Sequence, residues 1–233
     1  MKKPQRNWTQ RVILCFGLAL LSFCGVAPQA KAQNFKVAKV PSPPPQGLSV
    51  AVRGVLASEA LRVTGPNGVQ CDLWLRQAVP VAAGAKQDQG IAFWQIAEGT
   101  LIGAIRFPDS VLDYRGQPIG AGVYTLRYAL IPEDGNHQGV APPQRDFLLL
   151  GPAADDTSPN TITRDETLDM SRKVTRTRHP TIWSFAASKA NAATLPGMTH
   201  QDDPDCWSLN FSLVFEGSRV TPAALVVYGH VES

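Results

Sequence analysis

The sequence lacks the common signatures of catalysis. None of its 233 residues belongs to a G-x-S-x-G, H-E-x-x-H, C-x-x-C, P-loop or G-x-G-x-x-G pattern. These absences exclude the usual serine-hydrolase, zinc-protease, thiol-redox and nucleotide-binding sites. They leave open a site of another kind.

The composition argues against both disorder and long helices. Charged residues make up 18% of the chain and hydrophobic residues 44%, which is typical of a folded globular protein. Glycine and proline contribute 19 residues each, and so many turn-forming residues favour short strands. The length suits one domain with a sizeable core.

The N-terminus has the three parts of an export signal. Residues 2–11 contain four basic residues and no acidic one, and Val12–Ala27 is an apolar run. A membrane anchor would need ~20 apolar residues, which is longer than this run. Ala30 and Ala32 then provide the small residues that signal peptidase recognises. We predict cleavage after Ala32 and therefore a periplasmic or secreted protein.

Little net charge remains once the signal is removed. Residues 1–32 contain five of the 22 basic residues and none of the 19 acidic ones, so the rest of the chain has a net charge of −2. That charge gives no reason to expect nucleic acid or an anionic membrane as partner. No second apolar run of spanning length follows, so no membrane span is expected after cleavage.

Most of the mature chain has the pattern of β-strands separated by turns. In Val123–Ile131 and Trp207–Phe215 large apolar residues occupy every second position, which is typical of antiparallel sheets with one buried face. We predict a mainly β fold, an antiparallel β-sandwich or jelly-roll-like arrangement. The predicted strands are Phe35–Val40, Leu48–Leu56, Val69–Arg76, Ile91–Ile96, Leu101–Phe107, Val123–Ile131, Asp146–Leu150, Thr181–Phe185, Trp207–Phe215 and Ala223–Tyr228. The residues expected to be buried are Leu126, Tyr128, Leu209, Phe211 and Leu213.

One inserted helix is predicted near 164–176. Thr163 and Glu166 have the spacing of a capping box, in which each side chain accepts a hydrogen bond from a free N–H at the helix start. Pro180 prevents a longer helix. The predicted organisation is a signal peptide at 1–32, a Pro-rich lead-in at 33–47 and a single domain at 48–233.

Several segments resemble a family of uncharacterised exported bacterial β-sandwich proteins. The similar segments are the A-G-x-Y-x-L strand start at Ala121–Tyr128, the loop Pro132–His137, Gly139–Pro142 and the strand Arg145–Leu150. The resemblance spans roughly residues 70–215. It implies an exported β-sandwich and brings no known activity with it.

Two cysteines remain after signal cleavage, Cys71 and Cys206. An even pair outside the cytoplasm is compatible with a disulfide. Cys71 shares the parity of an apolar strand face, whereas Cys206 has the parity of a polar face. The alternative to a bridge is therefore one buried thiol and one near the surface.

Three histidines in predicted loops are candidate metal ligands: His137, His179 and His200. Imidazole nitrogens together with an Asp would suit zinc or a similar divalent ion, and an open coordination position would permit hydrolysis. Their spacing matches no ligand signature, so the alternative is scattered surface histidines.

The loop Glu133–Gln144 is predicted to line any functional pocket, because it holds the densest mixture of acids, amides, histidine and glycine. The candidate binding residues are Glu133, Asp134, His137, Arg145 and Asp146. Arg145 and Asp146 would orient His137 through charge-assisted hydrogen bonds. The alternative is that both residues only clamp the loop.

Trp74 falls on the polar face of its strand, beside Asp72 and Arg76. An outward tryptophan either stacks a sugar ring or packs under a covering element, and the helix near 164–176 is the predicted cover.

Two functions are compatible with these features. The favoured one is a non-catalytic module that binds a small ligand, a glycan or a protein. The alternative is an exported metal-assisted hydrolase that uses the loop histidines and a divalent metal ion.

Overall fold

Twelve strands and two α-helices form the described part of the chain, which in this computed structural model is residues 34–132 and 145–230. The strands are β1 Lys36–Val40, β2 Ala60–Gly65, β3 Gly68–Leu75, β4 Leu101–Phe107, β5 Val111–Leu112, β6 Pro118–Ile119, β7 Gly122–Leu130, β8 Asp146–Pro152, β9 Trp183–Ala187, β10 Gly197–Asp202, β11 Asp205–Val214 and β12 Val220–Tyr228. The helices are α1 Val50–Val55 and α2 Arg164–Thr175, with a short 3-10 turn at Ala192–Thr194.

Ten strands pair in one continuous sheet, in the order β1-β2-β3-β4-β7-β8-β9-β12-β11-β10. Every pairing is antiparallel. The link between β8 and β9 is short, with only two residue pairs, and it divides the sheet into two parts whose inward side chains share one core. The predicted fold class, mainly β with antiparallel strands and one main helix, is confirmed.

The edge strands β1 and β10 lie in contact, so the sheet closes back on itself. At one end of this seam the ring of Phe35 packs against Trp207 and Tyr228, at centroid distances of 5.3 and 4.9 Å. The other end, near Lys39 and Leu195, is open to solvent and forms the cavity described below.

The core contains the residues that alternation predicted. Leu126, Tyr128 and Leu209 are fully buried, and Phe211 and Leu213 are nearly so. The face assignment of β7 and β11 is therefore confirmed.

Helix α2 begins at the predicted capping box. The Glu166 amide donates to Thr163 Oγ1 at 3.2 Å, and the Thr163 amide donates to Glu166 Oε2 at 2.8 Å. Arg176 ends the helix in the left-handed conformation, with φ of 56°. The predicted helix is confirmed to within one residue.

The predicted strand Leu48–Leu56 is wrong, because Val50–Val55 is the helix α1. Ser49 caps it by accepting a hydrogen bond from the Val52 amide at 3.1 Å. Leu48, Val52 and Leu56 are four residues apart and all buried, which is the spacing of one helical face. An apolar run this short fits either element by pattern alone.

Trp74 packs under a covering element, as predicted, but helix α2 is not that element. The indole is buried against Leu48, Val52 and Leu56 of the α1 region. Its Nε1 donates to the Ser42 carbonyl at 2.7 Å, which fixes the lead-in chain to the outer face of the sheet. No sugar ring has access to this indole.

A buried ion pair anchors the segment after β8. Arg127 and Asp156 are almost completely buried and form two charge-assisted hydrogen bonds of 2.6 Å. Arg127 also donates to the carbonyls of Gly99 and Ser158, and Asp156 accepts from Thr125 Oγ1. Each charge is thus surrounded by partners, the condition under which burial is tolerated.

Candidate functional site

The predicted loop Glu133–Gln144 lies outside the described residues. Glu133, Asp134 and His137 lie outside the described residues, so their part in a site stays a prediction. Arg145 and Asp146, which follow the loop, are described.

Asp146 is a structural residue in this fold. Its carboxylate is fully buried and accepts hydrogen bonds from the Ala92 and Phe93 amides, at 2.7 and 2.9 Å, and from the Tyr128 hydroxyl at 2.6 Å. These contacts hold the segment 91–96, which is a series of turns and not the predicted strand. These described contacts give Asp146 a structural role, and its predicted part in orienting His137 stays a prediction.

Arg145 also joins neighbouring loops. Its amide donates to the Gly90 carbonyl at 3.1 Å, and its Nε donates to the Ile131 carbonyl at 3.2 Å. The guanidinium lies 3.9 Å from the Asp88 carboxylate. These contacts favour the clamp interpretation of Arg145 and Asp146 over the binding interpretation.

The two described histidines among the candidate metal ligands, His179 and His200, have different surroundings. His200 Nε2 lies 2.7 Å from Asp205 Oδ1, and its ring stacks on Trp207 at 4.7 Å. His179 is exposed at the end of the loop after α2. Within residues 34–132 and 145–230 no three His, Cys, Asp or Glu side chains group together closely enough to hold a metal. A metal site that includes His137 stays a prediction.

Cys71 and Cys206 are both free and both buried, so the disulfide considered above is not formed. Cys71 lies in the main core, whereas Cys206 packs with Tyr114 and Val226 in a separate cluster. Burial raises the pKa of both thiols above their ordinary values. The expectation that one thiol lies near the surface is also wrong, because the start of β11 is covered.

An open cavity of about 360 Å³ lies at the seam between the β1–β3 edge and the β10–β11 edge of the sheet. We call it the seam cavity. Its deepest lining residues are Leu61, Leu73 and Phe211, which are also members of the main core. The volume is at the lower end of the range of small-molecule sites, ~300–1,000 Å³.

The walls of the seam cavity are also apolar. Leu75 and Val214 contribute from β3 and β11, and Leu195 and Pro196 cover it from the chain before β10. Ligand sites in proteins combine such apolar walls with a few polar groups that fix orientation. The seam cavity has this composition.

Two charged side chains stand at the mouth of the cavity, Lys39 and Glu59. Lys39 pairs with Leu61 across β1 and β2, and Glu59 lies two residues before Leu61. Strand alternation places Lys39 and Leu61 on the inward face, and Glu59 lies in the bend just before β2. In the described ranges neither charge forms a salt bridge or a hydrogen bond, although opposite charges in diagonal positions are neighbours.

Arg76, Gln77 and Ser212 complete the polar part of the lining. Arg76 donates to the carbonyls of Ala78 and Pro159, at 3.0 and 2.7 Å, so its guanidinium is held in place. Burial lowers the pKa of Arg76, an effect that nearby Glu216 partly offsets. Arg76 is thus a fixed cation, whereas Lys39 and Glu59 are free to meet a ligand.

Sequence reasoning missed this site because its residues come from distant segments. A local signal was present, since Lys39 follows Phe35 and Val37 in an alternating row that packs on the core. A charged residue on the apolar face of a strand is the kind of exception that marks a binding or edge position.

The described part of the chain contains no helix of the length and apolarity required to cross a membrane. The resemblance to exported β-sandwich proteins rests on the motifs quoted above and stays a prediction. Comparison with known proteins found no protein-family model, no curated protein and no solved structure that matches this chain.

Proposed function

We propose that this protein is an exported, non-catalytic module that binds a small molecule with an apolar body in the seam cavity. The observation that carries the proposal is the cavity itself, whose apolar interior reaches the core residues Leu61, Leu73 and Phe211. A core that leaves such a volume open loses packing contacts. A ligand that fills the volume restores them.

The described polar groups support binding over catalysis. Asp146, Asp156 and Arg127 are buried and saturated with hydrogen bonds. The free groups at the cavity mouth are a lysine and a glutamate, without a nucleophile held by a base beside them. This arrangement positions a ligand and does not activate one.

Export is the second part of the proposal and rests on the N-terminal pattern. We expect the mature protein recovered from outside the cytoplasm to begin at Gln33. Intact-mass measurement of that protein is the test, and retention of residues 1–32 would contradict export by cleavage.

Cavity binding is tested with a neutral apolar dye, N-phenyl-1-naphthylamine, whose fluorescence rises in apolar surroundings. We expect saturable binding at one site by the wild-type protein. Ala57 lines the cavity and is half-exposed, so Ala57→Trp introduces an indole into the volume without replacing a core residue. Affinity for the dye should fall at least ten-fold.

The matched control is Ala38→Trp, which adds the same ring to an exposed position of β1 outside the cavity lining. Its dye affinity should equal that of the wild type. Equal affinity of the Ala57→Trp protein, or no saturable binding by the wild type, would show that the seam cavity is not a binding site.

A further inference from the structure

The seam cavity has an unusual pair of charges at its mouth. Lys39 has the inward parity of β1 and pairs with Leu61, and Glu59 lies in the bend just before β2, two residues from Leu61. Charged residues at the inward face of a strand are uncommon unless they are paired. In residues 34–132 and 145–230 these two remain unpaired, one of each sign.

We propose that the seam cavity recognises a small zwitterion with an aliphatic body, of the class of apolar α-amino acids, through Lys39 and Glu59. This inference rests on the proposed binding function of the cavity. A carboxylate would meet the Lys39 ammonium and an ammonium would meet the Glu59 carboxylate. The aliphatic side chain would then enter the apolar interior at Leu61, Leu73 and Phe211.

Charge complementarity favours a zwitterion over a singly charged ligand. Arg76 also lines the cavity, but its guanidinium is held by the Ala78 and Pro159 carbonyls, so Lys39 and Glu59 are the charges free to move toward a head group. There an anion would be attracted by Lys39 and repelled by Glu59, and a cation would be attracted by Glu59 and repelled by Lys39. A molecule that carries both charges a few ångströms apart satisfies both side chains.

A different role would explain the same charges. Lys39 is on an edge strand, and an inward-pointing charge there discourages association with the edge of another molecule. The experiment below separates this protective role from ligand recognition, because only the latter changes the preference among head groups.

The test uses four compounds with the same isobutyl group: leucine, 4-methylpentanoate, 3-methylbutan-1-amine and 3-methylbutan-1-ol. Binding to the mature protein is followed by NMR titration. Each matched charge should make leucine bind about five-fold tighter than the alcohol. This factor is the upper end of the range for an exposed ion pair. The acid and the amine should be no tighter than the alcohol by more than about two-fold.

Variants of Lys39 and Glu59 show which side chain contacts which charged group of leucine. Lys39→Gln should weaken leucine up to about five-fold and leave the amine unaffected or tighter, and Glu59→Gln should weaken leucine similarly and leave the acid unaffected or tighter. Lys36→Gln is the control, since Lys36 is an exposed lysine of the same strand that does not line the cavity. It should not change leucine binding.

Three results would overturn the inference. If the alcohol binds as tightly as leucine, or if only the dye binds, the cavity is an apolar site without head-group recognition, and the proposed function survives alone. If Lys39→Gln causes self-association while leucine affinity is unchanged, Lys39 protects the edge. If neither the dye nor any isobutyl compound binds, both the inference and the proposed function fail.

Discussion

Asp146 and Glu59 are both carboxylates at the margin of the core, and their surroundings differ in almost every respect. Asp146 is fully buried and accepts three hydrogen bonds, from two loop amides and the Tyr128 hydroxyl. Glu59 is exposed at the cavity mouth and has no partner among the described residues.

The difference separates residues that stabilise the fold from residues available to a ligand. A buried charge must be fully hydrogen-bonded to be tolerated, so saturation marks Asp146 and Asp156 as structural. An exposed charge at the entrance of an apolar cavity contributes little to stability and keeps its capacity to bind. The four predictions that follow test this separation.

The largest expected effect is at the Arg127–Asp156 pair. Asp156→Ala leaves the buried Arg127 without a counter-ion, and the free energy of unfolding should fall by about 3–5 kcal/mol. Denaturant unfolding is the measurement. Asp155→Ala is the control, because Asp155 pairs with Lys173 on the surface and its loss should cost less than about 1 kcal/mol. Similar losses for both variants would contradict the assignment.

A smaller loss is expected at Asp146. Asp146→Asn removes the charge that three donors face and turns an NH₂ group toward at least one of them, so stability should fall by about 2–3 kcal/mol. Dye binding in the seam cavity should be unchanged at temperatures where the variant is folded. Loss of ligand binding by the folded variant would restore Asp146 as a site residue.

Tyr128, which donates to Asp146, should make the stability of the protein depend on pH. Burial, reinforced by Asp146, raises the pKa of Tyr128. The tyrosine ionises at pH ~10 in the unfolded chain and stays protonated in the folded one. Its contribution to the free energy of unfolding is therefore complete below pH ~10 and is lost as the pH rises above that value. Tyr128→Phe should therefore reduce the alkaline decline in unfolding free energy by up to about 1.4 kcal/mol per pH unit. An unchanged pH profile would contradict this.

The smallest effect is expected at the cavity mouth. Lys39→Gln and Glu59→Gln remove exposed, unpaired charges, so each should change the free energy of unfolding by less than about 0.5 kcal/mol. The same denaturation series measures them beside Asp156→Ala. A loss above about 1 kcal/mol for either would show that the mouth charges are structural after all.

Local chemistry decided which parts of this fold were predictable from sequence. The capping box of Thr163 and Glu166 is complete within four residues, and it located α2 correctly. The strict alternation in β7 and β11 identified the buried face. By contrast α1 was mistaken for a strand, since six apolar-rich residues fit both periods and its cover over Trp74 is a tertiary contact.

The candidate site was less accessible for a related reason. The high proportion of polar residues pointed to the loop before Arg145 and Asp146. That proportion does not distinguish side chains whose hydrogen bonds are all made within the protein from side chains that can still bind a ligand. The seam cavity joins Lys39 and Glu59 to Leu195 and Phe211, which are more than a hundred positions away in the chain. Only the pairing order of the strands brings these residues together.

The contact between β1 and β10 also has a kinetic consequence. These strands, at Lys36–Val40 and Gly197–Asp202, are separated by most of the chain, and contacts of such long sequence separation form slowly because a large loop must close first. The seam should therefore be among the last regions to form during folding and among the first to open. A ligand bound across the seam would slow unfolding, because it binds only the chain in which β1 and β10 are in contact.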